Sequence, residues 1–152
     1  MKMTLARALR YKKRVVETIR KFESDIQEAN TIVEGQERDT DVRLALKQRA
    51  AWVKHLVSLK LSLQKATEPI QRLVFELAEC KAEISFYQRI STEHGTVKDR
   101  YGGAPMKYES DIRKAERDKL VKELQDRIDQ YQTKIDAHNA TIEIEVPDAE
   151  LP

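Results

Sequence analysis

Apolar residues recur at steps of three and four through almost the whole chain, a spacing that admits little besides amphipathic helix. Leu5, Leu9, Val15, Val16, Ile19, Phe22, Ile26, Ala29 and Val33 mark a first helix over about 4–34, with Thr4 as N-cap and Gly35 as stop. Asp39 to Asp41 offer caps for a second helix over about 41–66, whose seam reads Val42, Leu46, Val53, Leu56 and Leu63. Thr67 and Pro69 signal a break and restart, because proline is tolerated only in a helix's first turn. Ile70, Leu73, Leu77, Cys80, Ile84 and Tyr87 form the cleanest heptad, placing a third helix over about 68–91. Leu120, Val121, Leu124, Ile128, Tyr131 and Ile135 define a fourth over about 111–139.

The stripes are narrow because charged residues occupy 36% of the 152 positions, against about 25% in an average domain. Four glycines and four prolines are too few for the turns of an all-β protein. The expected fold is therefore all-α: an elongated antiparallel bundle of four long helices. A single domain over 1–146 and a flexible tail over 147–152 complete it.

Two stretches depart from helical spacing. Thr141 to Val146 alternates polar and β-branched residues, and Met106 with Tyr108 does the same inside the 92–110 connection. The reading pairs these as a two-stranded ribbon near 106–109 and 141–146. Such a ribbon is marginal alone and needs helices or a neighbouring subunit beneath it.

Charge alternates in blocks. Residues 1–21 hold eight bases against one acid (net +7), residues 22–41 seven acids against Arg38 (net −6), and residues 42–66 six bases and no acid. In an antiparallel hairpin the two basic blocks meet at one end. Arg7, Arg10, Lys13, Arg14, Lys54 and Lys60 make up this candidate partner-binding patch. Tyr11 is the only aromatic in the basic stretch of the first helix, which gives base stacking little support. The same helix has the charge to lie on anionic lipid, but its leucines and valines are better used in a core, so membrane binding is set aside.

Motifs for chemistry are missing from the sequence. His55, His94 and His138 are isolated, and no Glu-x-x-His pair, Walker loop or dinucleotide glycine pattern occurs. A single cysteine, Cys80, excludes an internal disulfide and points to a reducing, cytoplasmic setting. It falls on an apolar seam and reads as a core thiol. No catalytic residue, cofactor or metal ligand is assigned.

The order of features resembles the septicolysin-like family of small, largely uncharacterised bacterial helical proteins. The resemblance is carried by Glu34-Gly35 after the first helix, Leu77-Ala78-Glu79-Cys80-Lys81, Asp99-Arg100-Tyr101 in a loop, and Met106-Lys107-Tyr108. The final helix matches the family ending at Lys134, Ile135, Asn139 and Thr141, and departs from it at Asp136 and Ala140. The resemblance implies a helical fold and no established mechanism; it transfers neither toxin activity nor catalytic residues.

The function expected is a non-enzymatic helical scaffold or adaptor that self-associates and binds another macromolecule, a protein first of all. A phage or mobile-element role is compatible with it. The candidate oligomer interface joins flanking apolar residues without a partner in a hairpin, Trp52, Phe75 and Phe86, to a strand edge at Ile142, Ile144 and Val146. The alternative is a nucleic-acid-associated protein that uses the basic end.

Overall fold

The computed structural model describes residues 1–98 and 100–150. Asp99 of the loop motif and the last two residues of the expected tail lie outside the described residues. The elements run β1 (Lys2–Thr4), α1 (Leu5–Ala29), α2 (Val42–Thr67), a 3-10 turn (Glu68–Ile70), α3 (Gln71–Arg89), β2 (Gly95–Val97), β3 (Met106–Tyr108), α4 (Lys114–Thr141) and β4 (Glu143–Glu145). Helix occupies 68% of the described residues, so the all-α class holds.

The four-helix bundle does not. α2, the 3-10 turn and α3 follow one another with no loop between them, leaving three helical runs over 5–29, 42–89 and 114–141. Pro69 sits inside the 3-10 turn, where its missing N–H costs little, and the Glu68 N–H still donates to Gln64. The expected break is thus a tightening of the helix. The described residues divide into two compact units, one of Met1–Pro69 with the segment from Ala137 onward, the other of Ile70–Asp136.

In the first unit α1 and α2 form an antiparallel hairpin. Thr4 Oγ1 accepts from the Arg7 N–H at 3.3 Å and Asp41 Oδ1 from the Leu44 N–H at 3.0 Å, so each helix begins on a side-chain cap. α1 stops at Ala29, five residues short of the expected end. Thr31, Ile32 and Val33 are consecutive β-branched residues. Arg38 also folds back to donate to the carbonyls of Ala29 (3.1 Å) and Asn30 (3.0 Å). Gly35, at φ +87°, then lets the Gln36 N–H close a turn on Val33 O at 3.1 Å.

The hairpin's core joins Leu5, Ala8, Val15 and Ile19 of α1 to Leu59 and Leu63 of α2. β4 returns to this core and pairs antiparallel with β1, in the register Lys2–Glu145, Met3–Ile144 and Thr4–Glu143. Met3, Ile144 and Val146 are buried there. His138, near the end of α4, contacts the Ala66 carbonyl through Nε2 at 2.8 Å. The expected pairing of 106–109 with 141–146 is therefore wrong. β3 pairs instead with β2, Gly95 opposite Tyr108 and Val97 opposite Met106.

In the second unit, helical residues of α3 and α4 bury few side chains fully. Ile70, Cys80, Leu124 and Ile135 are buried, while Leu73, Leu77, Ile84, Tyr87, Leu120 and Ile128 are half-buried. The Arg117 guanidinium donates to Ile90 O at 3.1 Å, satisfying a carbonyl just past the end of α3. Within the 92–110 connection β3 falls where a strand was expected, and β2 is the partner that the sequence did not offer. His94 Nδ1 accepts from the Ser110 N–H at 3.3 Å beside it.

Candidate functional site

The α1–α2 hairpin concentrates the predicted basic residues. Arg7, Arg10, Lys13, Arg14, Lys54 and Lys60 are all exposed. At about 100° per residue, Arg7, Arg10, Arg14 and Lys21 fall within an arc of about 60° on the outer face of α1, and Lys13 shares an adjoining strip with Arg20. The packing of Leu5 and Ala8 with Leu59 and Leu63 brings the N-terminal half of α1 beside the C-terminal half of α2, as the charge blocks anticipated.

The sequence reading missed the counter-charge. β4 and the residues after it deliver Glu143, Glu145, Asp148 and Glu150 to the same end. Glu143 accepts from Lys2 Nζ at 2.9 Å and Glu150 from Lys54 Nζ at 3.3 Å, while Asp148 lies 3.8 Å from the Met1 ammonium. The carboxylate of Glu143 holds the Lys2 ammonium above its ordinary pKa. These pairs are exposed and individually weak. Of the patch residues Lys54 takes part in one of these pairs, and the other two engage Met1 and Lys2 ahead of α1. The acidic alternation Glu143-Ile144-Glu145 carried the signal: with Ile144 buried, both glutamates stand on the exposed face, where Glu143 meets Lys2.

Beneath the patch lies an aromatic–histidine contact. His55 is only 5% exposed, and its Nε2 is 3.0 Å from the Tyr11 hydroxyl. Tyr11 and Trp52 both meet its ring edge-on at 5.7 Å between centroids. Burial pushes the His55 pKa down, against a smaller opposing pull from Asp148, and burial likewise pushes Tyr11 up, partly offset by Arg14. Both groups are thus held neutral at neutral pH, which suits a packing contact with one shared proton. His55 Nδ1 has no hydrogen-bond partner among the described residues. A small recess of about 90 Å³ between His55, Ser58, Pro147 and Asp148 borders this contact.

The predicted oligomer interface divides. Trp52 is half-buried against His55, while Ile144 and Val146 are buried in the chain's own core and leave little surface for a second copy. Ile142 keeps a partly exposed side chain. Phe75 and Phe86 stand out on α3, 61% and 54% exposed. Among the described residues no cluster of three or more His, Cys, Asp or Glu could hold a metal ion, and no helix is long and apolar enough to cross a membrane. The chain matches no protein-family model, no curated protein and no solved structure.

Proposed function

We propose that this chain is a non-enzymatic helical scaffold that associates with copies of itself through the outer face of α3 and binds a further protein. The observation that carries the reading is the stripe Phe75, Ala78, Ala82 and Phe86, all exposed and all on the side of α3 opposite Leu73, Cys80 and Ile84. Two phenylalanines bracketing two alanines form a nearly symmetric pattern. An antiparallel copy related by a two-fold axis near residue 80 would set Phe75 of each copy beside Phe86 of the other and bring the alanines together at the axis, where the helices can approach closely, the self-complementarity that an isologous interface requires. It would also cover apolar surface in a unit that buries few side chains of its own.

The test is capture. Two differently tagged copies are co-expressed and one is pulled out; retention of the second supports the reading, and its loss under native conditions overturns it. The exposed arginine stripe of Arg7, Arg10 and Arg14 favours the nucleic-acid alternative. Against it, Tyr11 is packed on His55 and not available for stacking, and β4 brings acids to the same end. An electrophoretic shift that weakens steeply between two salt concentrations would support that alternative.

A further inference from the structure

A second apolar stripe stands outward on α2, its middle residue Val53 leaning on the hairpin core and its larger members exposed. Leu46, Ala50, Val53, Val57 and Leu61 follow one another at steps of four, three, four and four. Leu46, Val57 and Leu61 are 49%, 53% and 55% exposed, although they are large aliphatic side chains within one helix. Over Leu46 to Leu61 the stripe is about 23 Å long, the span of two heptads. Solvated helix faces ordinarily carry the chain's polar residues. Here the polar residues flank the stripe instead.

Those flanks are of one sign. Arg43, Lys47, Lys54 and Lys65 run along one side and Arg49 and Lys60 along the other, with no acid anywhere in α2. We infer that this face docks an acidic amphipathic helix of another protein, seated on Leu46, Val57 and Leu61 with carboxylates toward the lysines. The inference rests on the adaptor reading above and names the chemistry of its partner.

Charge chooses between the occupants. A second copy of α2 laid on the stripe would oppose base to base at every flanking position, which is destabilising for paired helices. An anionic membrane would satisfy the lysines, but the stripe offers only Leu, Val and Ala. The one tryptophan of the chain, Trp52, is turned to the core. A helix bearing Glu or Asp at its flanking positions satisfies both features at once, in the helix-in-groove manner. The chain itself contains the same pairing in miniature: Glu150 accepts from Lys54 at 3.3 Å, and Glu23 accepts from Arg49 Nε at 2.8 Å. A partner carboxylate at Lys54 would compete with Glu150, an exposed pair that yields at little cost.

The experiment titrates full-length protein into two fluorescent synthetic 16-residue helical peptides with identical leucine seams, one with Glu and one with Lys at the flanking positions. The acidic peptide is expected to bind at least tenfold more tightly, and Val57→Asp with Leu61→Asp to lose that binding at least tenfold. Lys47→Glu with Lys54→Glu alters exposed positions only, lowers the charge of the flanks from +6 to +2, and is expected to narrow the preference for the acidic peptide. Equal binding of both peptides to the unaltered chain, unchanged binding by V57D/L61D, or an undiminished preference in K47E/K54E would each overturn the inference. So would failure of the acidic peptide alongside tight binding to phosphatidylglycerol vesicles. Phe75→Asp with Phe86→Asp separates the two readings. Peptide binding that survives in this variant belongs to α2 alone, and a self-associating chain that ignores the acidic peptide keeps the scaffold and loses the docking helix.

Discussion

The Tyr11 hydroxyl lies 3.0 Å from His55 Nε2 and ties the N-terminal part of α1 to the middle of α2 beside an apolar core. Replacing Tyr11 by Phe keeps the ring and removes the oxygen, leaving His55 Nε2 buried without its partner. A loss of about 1–3 kcal/mol is expected, the usual penalty for a stranded buried polar atom. Trp52 is the only tryptophan and packs on His55, so its fluorescence reports the transition directly in a urea titration. An unchanged urea midpoint would show that the contact contributes nothing.

The same histidine predicts a pH dependence. Burial lowers the His55 pKa in the folded chain below its ordinary value of 6.5, so the unfolded chain binds more protons in the window beneath that value. Its contribution to stability is complete above pH 6.5 and is lost as pH falls from there through the lowered folded value. Urea midpoints measured from pH 7.5 to 5 should decline on the acid side, and His55→Gln should flatten that decline. A wild-type profile identical to that of the variant would remove His55 as the cause.

The strand clasp gives a contrast between neighbours. Val146 is completely buried and Ile142 is partly exposed, though only three residues lie between them. Val146→Ala should cost about 1–3 kcal/mol, the scale of a fully buried valine, and Ile142→Ala clearly less. Equal losses in thermal unfolding would mean that β4 is not seated on the core.

Local patterns were legible, and long-range ones were not. The seam positions Leu5, Val15, Ile19, Leu63, Cys80, Leu124 and Ile135 were readable because helical period constrains each from its neighbours, and Thr4 and Asp41 cap as their side chains suggest. β1 was not readable. Three residues ahead of a helix show no period, and their partner lies some 140 positions away, where no local rule sets the register. Pro69 misled for the opposite reason: the break signal is local, but a 3-10 turn absorbs it. Within the candidate site the bases were legible as blocks. The acids that answer them were legible only as strand residues, since their placement depends on that same unreadable pairing.

The central claim is self-association through the outer face of α3. Light scattering coupled to size exclusion, at tens of micromolar, decides it by mass. The wild-type chain should elute at twice its monomer mass of 17.7 kDa or more, and Phe75→Asp with Phe86→Asp should return it to a single monomer with unchanged helical circular dichroism. A wild-type chain that is monomeric at that concentration, or a variant that remains assembled, would contradict the claim.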